Sequence, residues 1–322
     1  MPGLISGRWA ACYESGALSA PAHVVVEAPV EPVTNLPRAA AFMVLAAFLF
    51  AVMSVMVKLL SHELPNAMVV FLRSVLSLLV LAPILLRRGL AQLKTSRPRE
   101  HVLRGTLGMA AMYCFFFVIA KLGLAEALLL NYSLPLFIPL VERVWLGEPI
   151  PPGIWKPIAL GMLGLVLILK PGLALFQPVA MIGVLGALMA ATAQVGIRRL
   201  TLTESVSTIV FYFAVSSTLI GLGPALYHWV TPSVAAVPWV VTMVLAGTVA
   251  QLVMTRAYQL APAAEVGPFI YGSVAFAALF DWLIFSRHPD GLSSLGTALV
   301  IVAGVLALRG RTRARPRHPS VT

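Results

Sequence analysis

Long apolar stretches recur along the chain and are separated by short polar segments. A helix needs about 20 mostly apolar residues to cross about 30 Å of hydrocarbon, and it satisfies all of its own backbone groups there. Run length therefore predicts an all-α integral membrane protein with about ten transmembrane helices. The predicted spans are residues 39–60, 66–86, 103–121, 124–146, 154–171, 178–198, 205–227, 238–257, 262–285 and 293–309.

Composition excludes the main soluble classes of protein. Hydrophobic residues make up 59% of the 322 residues and charged residues 11%, whereas a soluble domain carries about 25% charge. The net charge of +11 does not indicate a nucleic-acid partner, because apolar sequence separates most of the Lys and Arg residues. Cys12 lies in a polar segment and Cys114 in an apolar one, so a disulfide framework is not expected.

The two ends of the chain are polar. Residues 1–38 contain several prolines and no long apolar run, which predicts a disordered N-terminal tail; whether it belongs to the native product stays open. Residues 310–322 form a basic tail that we expect to contact lipid headgroups.

The Lys and Arg residues also indicate an orientation, because they are retained on the cytoplasmic side. With the N-terminus in the cytoplasm, about 18 of them, including Arg104, fall on that side and about four fall outside. We therefore predict a multi-pass protein of the cell inner (cytoplasmic) membrane with both termini in the cytoplasm.

The two halves of the chain resemble each other at a shift of 139–140 residues. The matched pairs include Lys58 with Arg198, Gly108 with Gly247, Tyr132 with Tyr271, and Glu142 with Asp281. A repeat of five spans is odd, so the second copy enters the membrane from the opposite side. The sequence thus predicts two inverted five-helix repeats, residues 39–171 and 178–309, an arrangement typical of secondary transporters.

Four segments carry a family resemblance: Lys58, Phe71-Leu72-Arg73, the run from Leu134 to Glu148, and the run from Ala257 to Tyr271. Over residues 39–309 the chain resembles the drug/metabolite transporter (DMT) superfamily, specifically its ten-helix EamA-type proteins. Relatives often end the ninth span in Leu-Phe-Gly-Glu, where this chain has Ile284-Phe285-Ser286-Arg287. No role is therefore carried over to a second glutamate.

The resemblance implies a secondary transporter that moves a small polar or zwitterionic metabolite by alternating access, with export favoured. An importer of an S-adenosylmethionine-like or riboflavin-like metabolite, an exporter of an opine-type metallophore and a lipid-linked carrier translocase remain as alternatives. No enzyme and no cofactor are expected, because the sequence contains no nucleophile–base or metal-ligand constellation. The absence of a phosphate-binding Gly-Lys-Ser/Thr loop disfavours ATP-driven transport by this chain alone. A monomer and a homodimer both stay open.

Ionisable residues inside the spans are functional candidates, because an unpaired charge in hydrocarbon costs several kcal/mol. Arg73 lies in the second span, and Asp281 and Glu126 lie at a similar depth, so we expect one of them to pair with it. Glu142 occupies the position in the first repeat that Asp281 occupies in the second. Proton coupling through these carboxylates is one option, and capping or structural pairing is the other. Lys58 is expected to extend to the interface.

Prolines in the fourth and ninth spans remove backbone hydrogen bonds beside polar side chains. Such a polar surface is tolerated where it lines a cavity or is buried in protein, so a substrate pocket and simple helix kinking are the two interpretations. The other polar candidates line up with small-residue helix faces or lie in neighbouring spans, where interhelical hydrogen bonding is the alternative. The candidate substrate-binding residues are Asn131, Tyr132, Ser133, Tyr271 and Ser273, with Ser54, Tyr113, Gln194 and Gln251 from other spans.

Overall fold

The computed structural model describes residues 35–286 and 288–312, and this part of the chain contains helices and no strands. The predicted all-α class is therefore confirmed. The α-helices are α1 (Leu36–Leu60), α2 (Asn66–Arg88), α3 (Pro98–Leu122), α4 (Leu124–Asn131), α5 (Leu134–Trp145), α6 (Trp155–Leu169), α7 (Ala180–Leu200), α8 (Val206–Tyr227), α9 (Val237–Leu260), α10 (Ala263–Val266), α11 (Gly272–Phe285) and α12 (Gly291–Thr312).

Nine helical segments in the described residues are long and apolar enough to cross a membrane. The fourth span combines α4 and α5, and the ninth combines α10, a 3₁₀ turn over Gly267–Tyr271, and α11. The fifth predicted span, 154–171, is a shorter helix of 15 residues, α6. It ends at Leu169 because Lys170 adopts the left-handed conformation with φ 49°.

The ends of the helical region extend slightly beyond the predicted limits. Helix α1 begins at Leu36, where the Asn35 side chain accepts a hydrogen bond from the Arg38 amide, so the last three residues of the expected tail are helical. Helix α12 continues to Thr312, past the predicted limit at 309. The rest of both expected tails, residues 1–34 and 313–322, lies outside the described residues.

The pattern of contacts between helices reflects the inverted repeat. The contact of α1 with α9 is matched by that of α3 with α7, and the contact of α2 with α9 by that of α3 with α8. Likewise α1 meets α11 as α7 meets α5, while α2 meets α8 and α6 meets α12 across the axis that relates the repeats. Each pair maps onto another when the halves are exchanged, as inverted repeats require.

Small residues allow a close approach of α6 and α12. A methyl group at Gly164 of α6 would meet the carbonyl oxygen of Gly296 of α12, and a methyl group at Gly296 would meet that of Gly164. Backbones approach this closely only where side chains are absent. The repeats also meet around α2, α8 and α9, where polar side chains lie between the helices instead.

The direction of each span fixes which end of it faces which side of the membrane. We call the side on which α1 begins the N side and the other the opposite side. Because successive spans reverse, Lys58 and Asp281 lie at the opposite side, whereas Glu142, Glu148 and Arg198 lie at the N side.

Candidate functional site

A small cavity lies between α2, α8 and α9, where the first repeat meets the second. Its free space is about 10 Å³, which is room for about one water molecule. Both charged and polar side chains reach it from within the membrane-spanning region. The lining residues are Arg73, Ser74, Ser77, Val210, Phe213, Ala214, Gly247, Thr248 and Gln251.

Arg73 lies in this cavity without an ion-pair partner among the described residues. Its Nη1 atom lies 3.7 Å from the Met53 sulfur, a weak contact for a charged donor. The expected pairing of Arg73 with Asp281 or Glu126 is wrong. Asp281 is bound by Lys58, and Glu126 accepts a hydrogen bond from the Gly172 amide at 2.8 Å. Arg73, Asp281 and Glu126 were predicted to lie at a similar depth in the membrane, but their side chains do not face each other.

Arg104 of α3 points toward the same space. The residue is only 4% exposed, and its guanidinium carbon lies 3.7 Å from the centroid of the Phe213 ring. Its Nη2 donates to Gln251 Oε1 at 3.3 Å, while its buried Nε has no hydrogen-bond partner. Arg104 thus contacts Phe213 and Gln251, two of the residues that line the cavity with Arg73. Two positive charges therefore converge at the cavity.

Arg104 is a site residue that sequence reasoning missed, because it was counted among the charges at the cytoplasmic face. The predicted third span began at residue 103, whereas α3 begins at Pro98. Proline favours the first helical position, so Pro98 was the signal that could have moved the start earlier. With that start, Arg104 lies in the second turn and inside the bundle.

The surroundings of Arg73 have a counterpart in the other repeat. A methyl group at Gly247 of α9 would meet the Met53 sulfur first and the Arg73 side chain at an ordinary contact distance, and one at Gly108 of α3 would meet the Phe213 ring more closely. Gly108 corresponds to Gly247, and Arg73 corresponds to Phe213, so equivalent positions face each other in the two repeats. One copy presents a cation to the cavity and the other presents the aromatic ring on which Arg104 lies.

Among the predicted polar residues of the fourth and ninth spans, Tyr132 and Ser273 come together. The Tyr132 hydroxyl lies 2.8 Å from Ser273 Oγ, and Ser273 also donates to the Ile270 carbonyl at 2.7 Å. Ser133 donates to the Leu130 carbonyl at 2.6 Å. Tyr271 is fully buried, and its hydroxyl has no hydrogen-bond partner. These four residues border neither this cavity nor the second one described next.

The remaining candidates lie in different places. Asn131 lines a second void of about 10 Å³ between α3, α4 and α7. Gln194 accepts a hydrogen bond from the Tyr258 hydroxyl, and Gln251 lines the cavity with Arg73. Ser54 is exposed and donates to the Phe50 carbonyl of its own helix, and Tyr113 is also exposed. Neither Ser54 nor Tyr113 lines either of these two voids.

The N side of the bundle is closed by buried polar contacts. The Glu142 carboxylate accepts hydrogen bonds from the Ala263 and Ala264 amides at 2.7 and 2.8 Å, which ties α5 to the start of α10. Arg198, with a side chain only 3% exposed, lies 3.5 Å from Glu148 and donates to the Tyr258 carbonyl at 3.1 Å. In this structure Glu142 thus caps the start of α10.

The opposite side has the equivalent residues in a more open arrangement. Lys58 Nζ lies 2.7 Å from Asp281 Oδ1, and the two side chains are 40% and 43% exposed. Lys58 corresponds to Arg198 and Asp281 to Glu142, yet both members of the opposite-side pair are far more exposed. Lys58 therefore forms an ion pair. Its extension to the interface stays a prediction. Residues of the two repeats that match in sequence differ in their surroundings.

The matches to known proteins agree with this architecture. The model of a family described as the EamA-like transporter family matches residues 37–170 and 177–309. A solved crystal structure superposes with a TM-score of 0.76 over 87% of this chain and 100% of that chain, at 18% identity. At that identity the likeness concerns the fold.

Three relatives illustrate the range of similar proteins. A pseudopaline exporter of Pseudomonas aeruginosa is 32% identical over 269 residues, which cover 83% of this chain and 94% of the exporter. A riboflavin transporter of Rhizobium johnstonii is 32% identical over 284 residues, 87% of this chain and 94% of that protein. An S-adenosylmethionine uptake transporter of Rickettsia felis is 28% identical over 263 residues, 82% and 90% of the two chains.

Proposed function

Because the chain belongs to the EamA-like transporter family, we propose that it moves a small polar or zwitterionic metabolite across the cell inner membrane by alternating access. Transport of a small molecule is what the related proteins share by name. Export is the proposed direction. The relative named for export is 32% identical to this chain, whereas the one named for uptake is 28% identical.

One observation carries the alternating-access part of the proposal. Arg198 at the N side is 3% exposed, whereas its repeat equivalent Lys58 at the opposite side is 40% exposed. Two repeats of the same fold would bury equivalent residues equally if they had the same conformation. The difference supports a state that is closed at the N side. Exchange of the two conformations between the repeats would close the opposite side instead.

The position of the cavity supports its use as the substrate site. It lies between α2 of the first repeat and α8 and α9 of the second, and transporters of inverted-repeat architecture bind substrate at this interface. Its present volume, about 10 Å³, is too small for a whole metabolite. Substrate entry therefore requires these helices to separate, which is the movement that alternating access supplies.

Comparative metabolomics tests the function directly. We would measure small metabolites in cells and in medium for strains that lack, contain or overproduce the protein. Export predicts a polar metabolite that accumulates in the medium with increasing protein and inside the cells without it. The reverse pattern would establish uptake and overturn the proposed direction. Equal metabolite profiles in all three strains would overturn metabolite transport as the function.

Orientation and energy source need separate measurements. With both termini in the cytoplasm, as we propose, green fluorescent protein fused after residue 322 should fluoresce, and alkaline phosphatase fused there should be inactive. The opposite result would reverse the orientation. For coupling, transport of the identified metabolite would be measured in liposomes with and without a pH gradient. A rate that responds to the gradient supports proton coupling, and an unchanged rate contradicts it.

A further inference from the structure

We infer that Arg73 and Arg104 together bind a carboxylate group of the transported metabolite. The substrates of this protein would then be metabolites that carry a carboxylate. This inference rests on the proposed transport function and on the cavity at the repeat interface. Its starting point is the convergence of two guanidinium groups on one space: Arg73 lines the cavity, and Arg104 contacts the lining residues Gln251 and Phe213.

The first step concerns the missing counter-charge. Within residues 35–286 and 288–312, no carboxylate lies within ion-pair distance of either arginine. Three carboxylates that lie in the spans are engaged elsewhere: Glu126 with the Gly172 amide, Glu142 with the start of α10, and Asp281 with Lys58. A positive charge inside hydrocarbon is costly when it is unpaired, and two adjacent ones are more so.

The second step concerns hydrogen-bond capacity. A guanidinium group carries five N–H donors in a planar fork. Arg104 uses one toward Gln251, and its Nε is buried with no partner. Arg73 has only the long contact with the Met53 sulfur. The pair therefore has most of its donors unused at a place where water is scarce.

The third step identifies the ligand chemistry. A carboxylate accepts two parallel N–H bonds from one guanidinium group and also supplies negative charge. It would therefore provide both the missing counter-charge and acceptors for the unused N–H donors. The partners now present are neutral: the Phe213 ring and the Gln251 amide hold Arg104 without neutralising it. A neutral or cationic substrate would leave both arginines without a counter-charge.

The role of the arginines is tested in liposomes that contain the purified protein and are loaded with the water-soluble metabolite extract of the producing cells. Mass spectrometry follows which compounds leave faster than from protein-free liposomes. The variants are Arg73→Gln and Arg104→Gln, with Arg256→Gln as the matched control. Arg256 lies on α9 like Gln251 but is exposed and away from the cavity.

We expect every compound that leaves through the unaltered protein to carry a carboxylate. Loss of one charged hydrogen-bond donor group should slow its exit about tenfold or more in Arg73→Gln and Arg104→Gln, while Arg256→Gln stays near the unaltered rate. Arg104→Lys keeps the charge but loses the fork, so its rate should lie between those of Arg104→Gln and the unaltered protein.

A second measurement does not depend on any variant folding. The same extract is treated with acidic methanol, which converts carboxylates to methyl esters, and is loaded into liposomes with the unaltered protein. The esters should show no protein-dependent exit. Protein-dependent exit of a compound without a carboxylate, equal exit of acid and ester, or unaltered rates in well-folded Arg73→Gln and Arg104→Gln would overturn the inference. If no compound leaves faster than from protein-free liposomes, the proposed function itself fails.

Discussion

Arg104 and Phe213 form a cation–π contact, with the guanidinium carbon 3.7 Å from the ring centroid. The contact joins α3 of the first repeat to α8 of the second and holds one of the two cavity arginines in a fixed position. Phe213 occupies the place that Arg73 has in the other repeat, so the second copy of the fold supplies an aromatic face where the first supplies a charge.

Replacing the Phe213 ring should lower the stability of the protein. We expect Phe213→Leu to lower the free energy of unfolding in detergent by about 1–2 kcal/mol, because a desolvated cation–π contact is worth about that much. Phe213→Tyr keeps the ring and should stay closer to the unaltered protein. In a double-mutant cycle with Arg104→Gln, the two effects should not add. Strictly additive effects would argue against direct coupling between the two side chains.

The repeat-equivalent cations Arg198 and Lys58 provide a matched pair of substitutions. Arg198→Gln breaks a buried contact with Glu148 and should reduce the free energy of unfolding by about 3 kcal/mol. Lys58→Gln breaks a half-exposed pair with Asp281 and should cost less than about 1 kcal/mol. Unfolding of both variants and of the unaltered protein would be followed in the same detergent. Equal losses would contradict the closure of the N side by buried contacts.

Glu142 offers a test of how the N side opens. A glutamine at this position has one acceptor oxygen for the two amides that now bind the carboxylate, at 2.7 and 2.8 Å. We expect Glu142→Gln to accelerate hydrogen–deuterium exchange in residues 263–266. Asp281→Asn, at the equivalent position on the opposite side, should leave exchange in that segment unchanged. Acceleration by Asp281→Asn alone would reverse the assignment of the closed side.

Two glycines on the same helix test the contact between α6 and α12. A methyl group at Gly296 would overlap the Gly164 carbonyl oxygen, whereas one at Gly304 would make an ordinary contact with the Phe269 ring. Gly296→Ala should therefore cost about 1–3 kcal/mol of stability, since the helices must move apart. Gly304→Ala should be neutral or slightly stabilising, because alanine favours helix more than glycine. Thermal unfolding of the two variants would rank them, and similar midpoints would contradict the close approach.

Asp290 precedes α12 outside the membrane spans and gives a prediction about pH. The Lys170 ammonium and the hydrogen bonds from Ser293 hold the pKa of Asp290 well below its usual range. A lowered pKa means that the ionised side chain stabilises the fold at every pH above the unfolded value of about 4. Its contribution is lost as the pH falls through the lower folded value.

The corresponding experiment compares Asp290→Asn with the unaltered protein. Asparagine still caps a helix but cannot pair with Lys170. The unaltered protein should melt at a higher temperature between pH 5 and pH 8, with a constant difference, and the difference should shrink below about pH 4. A difference that changes between pH 8 and pH 5 would point to another titrating group.

The sequence was sufficient for the features that depend on run length and on scarce residue types. Length of the apolar runs predicted the spans, and the matches of Lys58 with Arg198 and of Glu142 with Asp281 predicted the repeat. Tyr132 and Ser273 were expected to contribute to one polar region, and they lie within hydrogen-bonding distance.

Lateral packing was the part that the sequence did not reveal. Depth along a helix can be counted in residues, but it does not say which helix faces which, so Arg73 was assigned partners that lie on other faces of the bundle. Arg104 was missed for a related reason: a charge beside the start of a predicted span is assigned to the interface unless the start of the helix is known to within a turn.

The short helix α6 has a consequence for the surrounding lipid. Its 15 residues span about 22 Å. Trp155 at its start and Lys170 just after its end are residue types that favour the headgroup regions. Hydrocarbon about 30 Å thick exceeds the length of α6, and thinning of the bilayer at this edge is one way in which the shorter helix is accommodated. The contact between α6 and α12 should therefore respond to the thickness of the bilayer, and thicker membranes would strain this edge of the protein first.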